Sequence, residues 1–79
     1  MANVSQANVV FGKVVRQLRA ERGISSQEEL ASRSGMHRTY IGGIERGECN
    51  LCLINLRRLA AGLGMRASEL LARVEEQEQ

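Results

Sequence analysis

The chain contains no proline and no tryptophan, and its only aromatic side chains are Phe11 and Tyr40. So few rings provide no set of platforms for stacking single-stranded bases, whereas duplex binding stays open. Aromatic residues make up 3% of the composition and hydrophobic residues 43%, so aliphatic side chains must build the core. No run approaches the roughly 18 apolar residues of a membrane span. The start, Met1-Ala2-Asn3-Val4-Ser5, lacks the basic region and apolar stretch of a secretory signal. The expected location is the cytoplasm, at the nucleoid, with both cysteines reduced. Chemistry-bearing clusters are also missing. No Ser/His/Asp or Cys/His arrangement is evident, and no glycine-rich phosphate loop. The chain reads as a non-enzyme with no cofactor, no metal and no small-molecule substrate.

The 79 residues bound the chain to one domain, 1–79. A domain this short buries roughly 60–65% of its unfolded surface, so its core is thin and a homodimer is expected. Net charge is only +2, but it is unevenly placed. Residues 1–66 carry ten Lys/Arg against five acids, and residues 67–79 carry Arg73 against four. A basic body with an acidic tail suits a polyanionic partner for the body alone.

The apolar periodicity is helical throughout, which gives an all-α, five-helix fold class. A first helix from Ser5 or Gln6 to Arg22 places Val10, Phe11, Val14, Val15 and Leu18 on one stripe. Lys13, Arg16 and Arg19 fall on other faces, and Gly23 ends the helix. A second helix runs from Ser26 to Ser34, with Ser26 and Glu29 spaced as a reciprocal capping box. A third covers His37–Arg46, stopped by Gly47. On it His37, Ile41 and Ile44 share the inward side, Tyr40 lies at the border, and Arg38, Thr39, Gly42, Gly43 and Arg46 share the outward arc. A fourth helix, Leu53–Leu63, repeats Leu53, Leu56, Leu59, Ala60 and Leu63 at helical spacing, a stripe that core packing alone could explain. A fifth, Ala67–Glu75, carries Leu70, Leu71 and Val74, and residues 76–79 are expected to fray.

Residues 26–46 thus read as helix, tight turn, helix, the layout that sets a second helix in the DNA major groove. Arg38 can donate two hydrogen bonds to guanine O6 and N7, and Thr39 can bond a base or phosphate. The start of the second helix, at Ser26–Gln27, can hold a phosphate on its free N–H groups. Gly42 and Gly43 disfavour the helix by about 1 kcal/mol each. Their place on the outward arc suggests that the helix backbone lies close to DNA there. His37 is expected to cap the third helix or touch a phosphate.

The runs Gly23-Ile24-Ser25-Ser26-Gln27-Glu28-Glu29-Leu30-Ala31 and His37-Arg38-Thr39-Tyr40-Ile41-Gly42-Gly43-Ile44-Glu45-Arg46-Gly47 resemble the Cro/phage-repressor helix-turn-helix family. Within it, His-Arg-Thr-Tyr-Ile followed by Ile-Glu-Arg-Gly-Glu is similar to the controller proteins of restriction–modification systems. The resemblance implies a lambda-repressor-like domain that binds a pseudo-palindromic operator as a homodimer. It implies activation, then repression, of its own and the endonuclease gene. Carried over, Arg38 and Thr39 read bases, while Gln27, Tyr40, Arg46 and Asn50 hold phosphates or neighbouring backbone. The last helix, with Leu70, Leu71 and Val74, contributes to the dimer contact; together with Leu51 and Ile54 these residues exceed what so small a core covers, so dimerisation helices about 53–75 are expected. Glu28 is either solvated or part of a patch that touches RNA polymerase. An antitoxin or phage-type repressor, with a protein as main partner, is the alternative.

Two positions depart from the family pattern. Ser25 is an extra residue before the second helix, so that turn must bulge. Leu51-Cys52 replaces a Pro-Ser or Pro-Thr, which removes a hydroxyl cap worth on the order of 1 kcal/mol. Cys49-Asn50-Leu51-Cys52 is a C-x-x-C, but zinc usually needs four ligands and only His37 could join. A redox site of the thioredoxin kind would need a strand–helix context, so the pair reads as structural.

Overall fold

The computed structural model describes residues 6–78. The five helices are α1 (Gln6–Glu21), α2 (Gln27–Ser34), α3 (Arg38–Glu45), α4 (Leu53–Gly62) and α5 (Ala67–Glu78). Among the described residues there is no strand. A helix start at Ser5 and fraying at Gln79 lie outside the described residues. The expected fraying of residues 76–78 is not observed, because α5 continues to Glu78. The helix draws an N-terminal anchor from Arg66, whose N–H donates to Glu69 Oε1 at 2.8 Å.

The principal helix contacts close a ring: α1 on α3, α3 on α2, α2 on α4, α4 on α5, and α5 on α1. Its centre is aliphatic, as the scarcity of rings requires. Val14, Val15, Leu18, Leu30, Ile41, Leu59 and Leu70 are fully buried. Phe11 and Tyr40 pack on the edge of this core. Gly12 allows α1 to approach α3 closely, since a Cβ there would collide with the Ile44 and Glu45 carbonyls of α3. Ser34 is the buried polar side chain among the described residues, and its hydroxyl donates to Leu30 O at 2.7 Å.

Three sequence-based placements change. Leu53 belongs to no inward stripe and is 71% exposed. His37, expected inward on α3, is exposed at the helix cap and makes no side-chain capping bond. The capping box on α2 is only half built. Ser26 Oγ accepts from the Glu29 N–H at 3.0 Å, but the Glu29 carboxylate pairs with Arg33 one turn on. That i,i+4 pair is the more accessible partner for a half-exposed glutamate.

Candidate nucleic-acid interface

The α2–α3 unit is set by local chemistry at its turn. Gly35 adopts φ 69°, ψ 33°, which few side chains tolerate, and Met36 N–H closes the turn on Ala31 O at 3.0 Å. Ile41 and Ile44, both buried, then fix α3 on the core. Because those anchors lie on one side of α3, Arg38 and Thr39 in its first turn are left exposed.

Beyond that turn the outward arc differs from the sequence expectation. Gly42 and Gly43 are both buried. A Cβ at Gly42 would sit 3.1 Å from Arg46 Nη1 and 3.3 Å from Gln27 Oε1. Gly42 therefore makes room for two other candidate site residues, which converge above it. A Cβ at Gly43 would sit 2.8 Å from Cys49 Sγ. Gly43 is a packing position for the loop after α3, not part of an outward face. The outward arc includes Gly43, but the loop that begins only a few residues further on returns over it through Cys49.

Gln27, the first residue of α2, is half-buried, and its Nε2 donates to Glu45 Oε1 at 3.0 Å. Glu45 in turn is gripped by Arg19 of α1, Nε to Oε2 at 2.8 Å and Nη2 to Oε1 at 3.2 Å. This network aims the Gln27 amide at α3. The hydrogen bond to Glu45 holds the Arg19 pKa above its ordinary value, with burial opposing and the glutamate charge assisting. Arg19 also donates to Ile24 O at 3.3 Å, which anchors the turn lengthened by Ser25. Ser25 itself faces solvent.

Arg46 is exposed and donates from Nε to Glu48 at 3.0 Å, a bond that raises its pKa. Tyr40 is half-buried, and its hydroxyl accepts from Asn55 Nδ2 at 3.4 Å. Asn50 is exposed and accepts from Asn8 Nδ2 at 2.6 Å, so α1 holds the loop after α3. The structure thus gathers Gln27, Arg46 and the first turn of α3, leaves His37 at the cap, and withdraws Gly43. Arg19 and Glu45 were not singled out from the sequence as a pair. They lie 26 residues apart in separate helices, a separation at which opposite charge carries no positional signal.

The proposed dimer contact divides differently from the sequence reading. Leu70 and Val74 are buried in the core of this chain, at 0% and 6% exposure, so neither presents a free face. Leu51 is half-buried against the same core. Ile54 and Leu71 are exposed, and Leu53 joins them. Helical periodicity finds apolar positions on α4 and α5 but cannot say which neighbour covers each.

No helix among the described residues is long and apolar enough to cross a membrane. They also contain no group of three or more His, Cys, Asp or Glu able to hold a metal ion.

Residues 15–70 match the helix-turn-helix family. The control protein C.MunI of Mycoplasma sp is 36% identical over 74 residues, spanning 94% of this chain and 100% of that protein. The crystal structure of the restriction–modification controller protein C.AhdI from Aeromonas hydrophila is 46% identical, with TM-score 0.75 over 80% of this chain and 94% of that one. The controller protein C.Esp1396I, solved as a tetramer in complex with its natural 35-base-pair operator, is 32% identical. It superposes with TM-score 0.84 over 92% of this chain and 95% of that one. The chain therefore belongs to the helix-turn-helix family, among the control proteins of restriction–modification systems.

Proposed function

We propose that this chain is a sequence-specific DNA-binding transcriptional regulator, the controller of a restriction–modification system rather than an enzyme. One observation carries the reading. Arg38 and Thr39 are exposed on the first turn of α3, and among the described residues neither side chain has an intramolecular partner. An unpaired arginine there is available for bidentate contact with guanine, with threonine beside it for a base or phosphate. Gln27 and Arg46, which converge over Gly42, supply phosphate contacts on the same side, and the N-terminus of α2 adds its free N–H groups. The similarity to a controller solved on its operator supports the same placement.

In this reading two copies bind a pseudo-palindromic operator, joined through the exposed Leu53, Ile54 and Leu71. Half-sites then lie about 34 Å apart, one DNA turn. Occupancy first activates and then represses the chain's own gene and the endonuclease gene. Exposed Glu28, at the start of α2, contacts RNA polymerase during activation. The protein works in the cytoplasm, at the nucleoid.

The test is nuclease footprinting, with fluorescence anisotropy, on the duplex immediately upstream of the gene. The expected result is two protected half-sites related by two-fold symmetry. Equal affinity for that duplex and a shuffled duplex of the same composition would overturn the reading.

A further inference from the structure

Cys49 and Cys52 take no part in the DNA reading. Cys49 is half-buried, and its sulfur occupies the space beside Gly43 where a Cβ would otherwise project. Cys52 is exposed at the cap of α4, where its side chain makes no capping bond. Gly43 is held by the same loop a second way, since Glu48 N–H donates to Gly43 O at 2.9 Å. The C-terminal turn of α3 is therefore latched by residues 48 and 49.

The backbone between the cysteines is neither helix nor turn, and Cys52 itself is extended at φ −78°, ψ 166°. Three residue steps of unbent chain span about 10 Å, whereas a disulfide needs Cα atoms roughly 5.5–6 Å apart. A Cys49–Cys52 bond is thus a poor fit to a loop that has neither turn nor bend between the cysteines. Forming the bond requires the loop to fold on itself and Cys49 to leave Gly43.

We propose that Cys49 and Cys52 are a dithiol modification site for a small-molecule disulfide, whose oxidised form unlatches the last turn of α3. The exposed Cys52 thiol attacks the disulfide, forming a mixed disulfide and releasing one small thiol. Cys49 then attacks the Cys52 sulfur and expels the second thiol. The protein loses two hydrogen atoms and the reagent gains them. Any loss of operator binding rests on the DNA reading above; the bond and its effect on α3 do not.

The experiment treats the full chain with oxidised glutathione, then reads intact mass and amide hydrogen exchange. The wild type is expected to lose two hydrogens and to exchange at Gly43–Glu48 roughly tenfold faster, reversibly with dithiothreitol. Cys49→Ala is expected to stop at one glutathione on Cys52, and Cys52→Ala to stay reduced. A wild type that keeps its glutathione adduct, links two chains, or forms the bond with unchanged exchange overturns the proposal. Neither readout involves DNA, so failure here is distinct from failure of the regulator reading.

Discussion

Arg19 grips Glu45 through two hydrogen bonds, at 2.8 and 3.2 Å, and the glutamate side chain is only 3% exposed. The pair joins α1 to the end of α3, and Gln27 of α2 adds a third hydrogen bond to the same carboxylate. Three helices therefore meet at one buried charge. The orientation of Gln27 depends on a residue that lies outside the helix-turn-helix itself.

Removing only the arginine leaves that carboxylate buried without a counter-charge. Arg19→Met is expected to destabilise the fold by about 3–5 kcal/mol in urea denaturation. Arg19→Met with Glu45→Leu removes both charges and should recover most of that loss. The double variant should nevertheless bind the operator more weakly than wild type, because Gln27 has lost its anchor. Full recovery of affinity would show that Gln27 does not need this network.

The two adjacent glycines of α3 should respond oppositely to alanine. At Gly43 the new methyl meets Cys49 Sγ at 2.8 Å, and overpacking of this kind destabilises by about 1–3 kcal/mol. Adding Cys49→Ala should relieve it. At Gly42 the methyl meets only the flexible ends of Arg46 and Gln27, at 3.1 and 3.3 Å. Gly42→Ala should therefore gain up to about 1 kcal/mol in stability from helix propensity while lowering operator affinity. Thermal melts and anisotropy separate the two effects.

Arg38 and Arg46 should differ in what they lose. Arg38→Ala is expected to weaken operator binding by about 1–3 kcal/mol and to relax preference at one base. Its stability should change by no more than about 0.5 kcal/mol, since the side chain is exposed. Arg46→Ala should keep the base preference and lower the salt slope by about 1. Binding titrations at several salt concentrations, on single-base variants, check both.

The exposed apolar face makes its own prediction. Ile54→Glu, at a position 61% exposed in the single chain, should leave the monomer fold intact and shift sedimentation at micromolar concentration to a monomer. A wild type that is itself monomeric at every concentration would remove the dimer.

The Glu21–Arg73 pair ties the end of α1 to α5 at 2.9 Å. The hydrogen bond from Arg73 lowers the Glu21 pKa below its ordinary 4.5, with minor charge contributions from Arg73 and Arg22. A lowered carboxylate pKa gives stability that is present above the ordinary value and lost as pH falls through the folded one. Arg73→Gln should therefore melt lower than wild type near neutral pH, with the difference closing below about pH 4.5. A difference that persists in strong acid would assign it to packing instead.

The sequence alone determined the helices, their order and the reading turn. Those follow from local signals: apolar spacing at Val14, Val15 and Leu18, the Ser26 cap, and the Gly35 turn. It also placed Arg38 and Thr39 outward, because Ile41 and Ile44 leave α3 only one face to present. Tertiary structure decided everything that depends on which neighbour arrives. Gly43 is buried because a loop returns over it. Leu70 and Val74 are core because α1 and α4 cover α5, while Leu53 is bare because no described element packs over it. The Arg19–Glu45 grip on Gln27 exists only once three helices have met. Periodicity reports which face of a helix is apolar; burial is a property of the partner that covers it.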